Sequence, residues 1–291
     1  MKYLITGSQG QLGSELRSQL DDRQLEGRDV TYVVVDIEEC DITDETAVAR
    51  LFEDHPETDV VFHTAAYTAV DRAEDEPQKA YAVNAMGAAN IAAASREIGA
   101  KLVHFSTDFV FGDGDGTPRD ERAEPEPLSV YGASKLAGET LALQNNPSTA
   151  VLRTCGLYSR WGGNFINSIA AHGRDKEKLE VVNDQYVGPT PVSTLAEVAL
   201  AMTDTPLFVG GLHHATVGGE CTWYEFACEI VEQLGIDTRV EPTTSRAWGA
   251  PARRSRYSVL DNRRLRLRGL DLFDDWRTEL QAFLDDHGDD L

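Results

Sequence analysis

Tyr131 and Lys135 stand four residues apart in a stretch with helical signals, so both side chains should lie on one face of a helix. A phenol with a pKa of about 10 exchanges protons poorly near neutral pH. A neighbouring ammonium group stabilises the phenolate and lowers its pKa. The pair therefore predicts a proton donor, Tyr131, that Lys135 tunes. Alone, a Tyr-x-x-x-Lys spacing is common and carries little weight.

A threonine and an aspartate upstream of this pair could join it in one ligand-binding site. Thr107 and Asp108 follow an apolar run that predicts a strand. Open α/β sheets bind their ligands at the carboxyl ends of parallel strands. Thr107 could hydrogen-bond a reacting carbonyl or the hydroxyl of Tyr131. We therefore group Thr107, Tyr131 and Lys135 as one candidate catalytic set.

Residues 7–13 read Gly-Ser-Gln-Gly-Gln-Leu-Gly and directly follow another predicted strand. In that position a Gly-x-x-Gly-x-x-Gly indicates a dinucleotide-binding turn. Gly7 allows the tight turn, Gly10 lets backbone N–H groups approach a pyrophosphate, and Gly13 allows a helix to pack closely on the sheet.

Asp36 ends the second predicted strand, where a carboxylate can accept hydrogen bonds from ribose hydroxyls. It would repel a 2′-phosphate, and no Arg or Lys follows it immediately. We therefore expect NAD(H) or NADP(H), with a preference for NAD(H). The alternative interpretation of Asp36 is a solvated loop acid.

The elements that must hold these motifs alternate along the first half of the chain. The predicted strands are Lys2–Thr6, Thr31–Val35, Val60–His63, 102–106 and 150–154. The predicted helices between them are 11–20, 45–52, 76–97 and 131–144. This rhythm predicts an α/β fold with a doubly wound, parallel Rossmann sheet.

The later part of the chain is less regular and predicts a smaller, C-terminal substrate-binding lobe. Its expected elements are helices at 162–178, 192–203, 221–234 and 276–284, strands at 179–182 and 211–216, and a Pro- and Arg-rich loop at 241–256. We assign 1–158 and 192–217 to an NAD(P)-binding Rossmann domain. The lobe then comprises 159–191 and 218–291.

The charge of the chain excludes several classes of partner. Its 291 residues include 49 acidic and 27 basic side chains, a net charge of −22. This balance argues against nucleic acid and against anionic membrane surfaces. We find no run of about 20 apolar residues and no signal peptide, and so expect a cytoplasmic protein. The excess of acids suggests adaptation to high salt.

No Cys or His cluster has metal-ligand spacing, so no metal site is expected.

The glycine motif and the Thr-Tyr-Lys set together resemble the extended short-chain dehydrogenases/reductases. More narrowly, the chain is similar to the dTDP-4-dehydrorhamnose reductase family, in segments 64–71, 104–111, 130–139, 182–190 and 257–262. The resemblance implies that a reduced nicotinamide gives hydride to C4 of dTDP-4-dehydro-L-rhamnose while Tyr131 supplies the proton.

The resemblance also implies which residues hold the ligands. Tyr131 and Lys135 would contact the cofactor, with Lys135 holding the nicotinamide ribose. Thr107 and Asp108 would hold the sugar. The nucleotide contacts would fall on Gly10, Gln11, Leu12, Asp36, Asp41, Ile42, Ala65, Ala66 and Tyr67. A homodimer fits the family. An acid at the position of Glu15 bridges a metal between subunits in some members, but here we expect Glu15 on a solvated helix face.

Two departures from the family pattern affect the sugar site. Relatives carry Arg-Thr-Ser-Trp where this chain has Arg153-Thr-Cys-Gly156, so a tryptophan of the sugar site is absent. Trp161 is a candidate for the same packing role. Relatives carry Arg-Pro where this chain has Arg254-Ser255. Arg254 could pair with a substrate phosphate or be a surface arginine.

Three other functions compete with a reductase. A sugar-nucleotide dehydratase would need a Glu after Thr107-Asp108, but Phe109 stands there and cannot move a proton. An epimerase on the same fold reuses Tyr-x-x-x-Lys, although it usually has Ser at position 107. A non-catalytic NAD(P)-binding regulatory subunit would not need the Thr-Tyr-Lys set.

Overall fold

The computed structural model describes residues 1–204, 208 and 210–291 of the chain. The strands of this part are β1 (Lys2–Thr6), β2 (Thr31–Val35), β3 (Val60–His63), β4 (Lys101–Thr107), β5 (Thr149–Thr154), β6 (Lys178–Val182), β7 (Tyr186–Val187), β8 (Gly211–His214), β9 (Cys221–Thr222) and β10 (Arg239–Thr243). The helices are α1 (Gln11–Leu25), α2 (Glu45–Asp54), α3 (Val70–Ala73), α4 (Pro77–Tyr81), α5 (Ala88–Glu97), α6 (Val130–Asn145), α7 (Phe165–Asp175), α8 (Val192–Asp204), α9 (Trp223–Gln233), α10 (Ser245–Trp248), α11 (Arg263–Arg266) and α12 (Trp276–His287). No helix among these residues is long and apolar enough to cross a membrane.

The central sheet has six strands in the described residues, in the order β2-β1-β3-β4-β5-β8. Every neighbouring pair is parallel, which confirms the doubly wound sheet expected from the sequence. The chain moves from β1 to β2 on one side and then returns to β3 on the other. This reversal leaves a crevice at the carboxyl ends of β1 and β3, where such sheets bind ligands.

Both faces of the sheet are covered by helices. Leu4 points into one apolar cluster with Val48 and Ile91, and Ile5 points into another with Leu16 and Leu195. Strands buried on two faces need continuous rather than alternating apolar runs. The sequence has such runs at β1 and β3, and for this reason the predicted bounds of both strands are confirmed.

A third apolar cluster lies outside the sheet, among α7, α9 and α12. Phe226 and Trp276 are fully buried there and meet edge to face at 5.9 Å. The strand β10 pairs in parallel with β6 beside this cluster. The loop predicted at 241–256 is therefore wrong in part, since it contains the end of β10 and all of α10. Pro242 favoured a loop in the sequence-based prediction. Proline is nevertheless tolerated in an edge strand, and both strands of a two-stranded sheet are edge strands.

The single helix predicted over 76–97 is also wrong. It is divided into α4, a π-helical segment (Ala82–Gly87) and α5. At the division, Gly138 of α6 lies so close that a Cβ on it would be 2.1 Å from the carbonyl oxygen of Asn84. Backbone thus packs on backbone at this point, a contact that helical periodicity does not reveal.

Candidate active site

The glycine turn between β1 and α1 is compressed against the segment after β3. Gly7 has φ of +68°, and a Cβ on it would lie 2.6 Å from Ala65. A Cβ on Gly13 would lie 2.4 Å from the carbonyl oxygen of Gly7. Gly10 is the N-cap of α1 and provides no side-chain cap, so backbone N–H groups of the first turn, which includes Gln11 and Leu12, can receive an anion. The turn therefore fits a dinucleotide phosphate.

Asp36 lies beside this turn, while the next two predicted nucleotide contacts have local roles. Asp36 Oδ2 accepts a hydrogen bond from the backbone N–H of Gln9 at 2.9 Å. Asp41 Oδ1 accepts from the backbone N–H and hydroxyl of Thr43, at 2.9 and 2.8 Å. Ile42 is buried in the core. The structure thus brings Asp36 to the glycine turn, and shows Asp41 closing a turn of its own.

Ala65, Ala66 and Tyr67 follow β3 and form the other side of the crevice. The Tyr67 hydroxyl donates to Glu76 at 2.9 Å. The backbone N–H of Tyr67 donates to Asn84 Oδ1 at 2.8 Å, and Asn84 Nδ2 donates to the Ser134 hydroxyl on α6 at 2.9 Å. Asn84 was not among the residues predicted from the sequence, because its only signal there is an amide in an alanine-rich run.

Thr107, Tyr131 and Lys135 meet at the carboxyl end of β4. Ser129 caps α6 by accepting from the Gly132 N–H at 3.1 Å, and the helix then presents Tyr131 and Lys135 on one face. Thr107 ends β4, and its hydroxyl lies close enough to the phenol to lower the pKa of Tyr131 in part. Lys135 is buried, and its Nζ donates to the carbonyl oxygen of Phe105 at 2.7 Å.

The pKa of Tyr131 differs from the sequence-based expectation. Burial and the nearby Asp108 carboxylate raise the pKa of Tyr131 to about 12, although Thr107 lowers it in part. The expected lowering by Lys135 is therefore wrong for this structure, in which Nζ points to a backbone carbonyl. Burial also lowers the pKa of Lys135 to about 8, against the opposing charge of Glu139.

Asp108 is buried next to this set. It accepts a hydrogen bond from the Thr107 hydroxyl at 3.0 Å, and from the Cys155 thiol at 3.2 Å. Burial raises the pKa of Asp108, although bonds from Ser258, Cys155 and Thr107 oppose the shift. The carboxyl group therefore lies in a low-dielectric position where it can retain a proton more readily than a solvated aspartate.

A cavity of about 760 Å³ opens from Asp108 towards α7 and β6. Apolar side chains from both parts of the molecule form its walls, including Phe109, Leu128, Ile169, Leu179, Val187 and Trp223. Its charged lining residues are Lys176, Lys178, Arg253 and Arg254, against Asp108 and Glu180. Three of these cations are ion-paired, Lys178 with Glu180 and Glu241, Arg253 with Asp113, and Arg254 with Asp71. The cavity thus collects basic side chains in a chain of net charge −22, and an anionic ligand would compete with these carboxylates for them.

Arg254 at this cavity is not an unattached surface arginine. Its two Nη atoms donate to the two carboxylate oxygens of Asp71 on α3 at 2.8 and 2.9 Å. Asp71 also accepts from the backbone N–H of Ala252 at 3.0 Å. The bidentate pair fastens the segment around residue 254 to the Rossmann sheet side of the cavity.

Two further expectations are corrected at the glycine end. Glu15 is only 9% exposed, and it accepts from Trp161 Nε1 at 2.8 Å, so it does not lie on a solvated helix face. The guanidinium carbon of Arg160 lies 4.3 Å from the centroid of the Trp161 ring. Trp161 does not line the cavity at Asp108. Among the described residues, no three His, Cys, Asp or Glu side chains converge on a point that could hold a metal ion.

The central sheet is doubly wound, and the glycine turn lies where its strand order reverses. Thr107, Tyr131 and Lys135 stand near the cavity at Asp108. Together these features define the extended short-chain dehydrogenase/reductase class. Residues 1–288 match the family model described as RmlD substrate binding domain. The chain belongs to this family, the dTDP-4-dehydrorhamnose reductases.

Individual relatives agree over almost the full length. The dTDP-4-dehydrorhamnose reductase of Streptomyces griseus is 40% identical over 284 residues, covering 96% of this chain and 91% of the relative. The crystal structure of a dTDP-4-dehydrorhamnose reductase from Clostridium acetobutylicum is 39% identical with a TM-score of 0.92, covering 98% and 99% of the two chains. The Bacillus anthracis enzyme, solved in complex with NADP, is 35% identical with a TM-score of 0.92 and the same coverage.

Proposed function

We propose that this protein reduces the C4 keto group of dTDP-4-dehydro-L-rhamnose to give dTDP-L-rhamnose, with a reduced nicotinamide dinucleotide as the hydride donor. One observation carries the proposal most directly. Thr107 and Tyr131 come together at the carboxyl end of β4, next to Asp108, which lines a cavity with basic side chains. A keto sugar with an anionic diphosphate matches that arrangement.

The cofactor part of the proposal rests on the fit of the crevice. Gly7, Gly10 and Gly13, with Gln11 and Leu12, would hold the pyrophosphate at the start of α1. Asp36 would accept from the adenosine ribose, Asp41 and Ile42 would lie near the adenine, and Ala65, Ala66 and Tyr67 would line the opposite wall. A relative binds NADP, so we include NADPH beside NADH and give no priority to the NAD(H) preference expected from Asp36.

The chemical step follows from the hydrogen-bonded groups. Bound reduced nicotinamide supplies hydride to the keto carbon. Tyr131 donates its proton to the carbonyl oxygen, and Thr107 orients the phenol and shares the hydrogen bond to the sugar. Lys135 would hydrogen-bond the nicotinamide ribose. Asp108, which is buried, would contact the sugar from the protein side of the cavity.

Arg254 is assigned to the diphosphate of the substrate. Its position on the cavity wall supports this role, and its pair with Asp71 keeps the guanidinium there before a substrate binds. Residues 1–158 and 192–217 would act as the dinucleotide domain, with 159–191 and 218–291 as the substrate lobe. A cytoplasmic homodimer and tolerance of high salt complete the proposal.

The decisive experiment follows the absorbance of reduced nicotinamide during incubation with dTDP-4-dehydro-L-rhamnose. We expect stoichiometric oxidation of NADPH or NADH and formation of dTDP-L-rhamnose. A UDP-linked 4-keto sugar serves as the matched substrate control. Isomerisation of a sugar nucleotide without net oxidation of the cofactor would instead identify an epimerase, and cofactor binding without turnover of any keto sugar would favour a regulatory protein.

A further inference from the structure

Gly156 leaves a space in the cavity wall that a residue from another element fills. Its φ is +55°, in the left-handed region where a side chain is strained. A Cβ on Gly156 would lie 3.1 Å from Cη2 of Trp223 and 3.2 Å from Cα of Pro189. The indole edge of Trp223 therefore takes the position into which a side chain at 156 would project.

The indole is held firmly in this position. Trp223 is the first residue of α9. Thr222 before it and Glu225 after it form a capping box, with hydrogen bonds of 3.1 and 2.7 Å. Its ring also packs on Phe165 of α7 at 4.6 Å between centroids. A ring fixed on two sides loses little conformational entropy when a ligand stacks on it.

The Gly156–Trp223 contact lies close to the chemical end of the cavity. Gly156 directly follows Cys155, whose thiol donates to Asp108, and Asp108 follows Thr107. Gly156, Cys155, Asp108 and Trp223 all line the same cavity. A sugar whose keto group reaches Thr107 and Tyr131 would thus have its ring beside the indole. Aromatic walls with a few polar groups are typical of sites that orient a small ligand.

We propose that Trp223, in the space that Gly156 leaves open, is the platform that binds and orients the sugar ring of the substrate. This inference rests on the proposed function. Trp223 contacts the apolar C–H face of the sugar, and Arg254 holds the diphosphate. Trp223 therefore contributes to affinity for the sugar and contributes little to affinity for the nucleotide alone.

Equilibrium binding of dTDP and of dTDP-L-rhamnose separates the two contributions, because dTDP lacks the sugar. We expect Trp223→Ala to weaken binding of dTDP-L-rhamnose by about tenfold or more, with dTDP affinity unchanged. Trp223→Phe should show a smaller loss. Trp161→Phe is the matched control, since Trp161 lies outside the cavity, and it should leave both affinities unchanged.

Gly156→Ala tests the same contact from the other side. Its Cβ would press on the indole, so we expect weaker binding of dTDP-L-rhamnose with normal affinity for dTDP. NADPH affinity in each variant verifies the fold. Equal loss for both ligands, or no loss for either in Trp223→Ala and Trp223→Phe, would overturn the inference while wild-type binding and turnover leave the proposed function intact. Wild-type protein that binds neither ligand would overturn the proposed function, and the platform role with it.

Discussion

Arg153 and Glu139 form a buried, bidentate ion pair beneath the candidate active site. Arg153 Nη2 lies 2.6 Å from Glu139 Oε2, and Arg153 Nε donates to Oε1 at 2.8 Å. Glu139 also accepts from the Ser106 hydroxyl at 2.5 Å. The pair joins α6 to β5 and β4 one helical turn after Lys135, so it sets where the Tyr-Lys face of α6 stands over the strand ends.

Removing one partner of this pair should destabilise the protein severely. Arg153→Met leaves the Glu139 carboxylate buried without its counter-charge, which costs about 3–5 kcal/mol of unfolding free energy. Urea unfolding followed by circular dichroism measures the loss. Arg122→Ala, which breaks the surface pair with Asp120, is the matched control. It should unfold at nearly the same urea concentration as the wild type. Equal stability of Arg153→Met and wild type would refute this structural role.

Tyr131→Phe should abolish most of the reductase activity. The phenylalanine keeps the edge-to-face contact with Phe109, at 5.4 Å in the wild type, but removes the proton donor. We expect kcat to fall by about 10³-fold, with unchanged thermal stability and NADPH affinity. Stopped-flow and steady-state absorbance of the reduced nicotinamide provide the measurement. A near-normal kcat would show that another group delivers the proton.

The activity should decline on the alkaline side as Lys135 loses its proton. Burial lowers the pKa of Lys135 to about 8, so its positive charge is present below that pH and is lost as the pH rises through it. Tyr131, with a pKa raised to about 12, remains protonated over the same range. We therefore expect kcat/KM for ketone reduction to fall above about pH 8.

Lys135→Met serves as the control for this pH dependence. It should reduce both kcat and cofactor affinity, and the residual activity should no longer fall around pH 8. Persistence of the same alkaline decline in Lys135→Met would assign the titration to a different group. The neighbouring Glu139 is unsuitable for such a test, because its loss also breaks the buried ion pair.

Gly13→Ala should damage the dinucleotide turn. The added Cβ would lie 2.4 Å from the Gly7 carbonyl oxygen and 2.7 Å from Cα of Ser8, both of which are backbone atoms that cannot rotate away. We expect NADPH affinity to fall at least about tenfold, together with a lower melting temperature. Gly163→Ala is the matched control because no atom lies within 4 Å of its added Cβ. Equal NADPH affinity of Gly13→Ala and Gly163→Ala would contradict the proposed packing.

The net charge of −22 should make stability depend on salt. Screening reduces the repulsion among 49 acidic side chains, so the melting temperature should rise steadily from about 0.1 M to about 1 M KCl. Sucrose, an uncharged stabiliser, separates charge screening from a general solvent effect. A melting temperature that does not change with KCl would remove the argument for adaptation to high salt.

The sequence by itself determined the order of the elements and the chemistry-bearing motifs, because both are local. The strands β1, β2 and β3 have the predicted bounds, since each is a short β-rich run between turn residues. The Tyr131–Lys135 spacing and the glycine turn likewise depend only on neighbours along the chain.

Only the tertiary structure decided which distant groups meet. Arg254 and Asp71 pair across 183 residues, and Trp223, rather than the nearby Trp161, reaches Gly156. The pKa of Tyr131 rises instead of falling, because burial and Asp108 act on it while Lys135 Nζ points to Phe105. Contacts and desolvation of this kind depend on distances across the fold, which residue spacing along the chain does not encode.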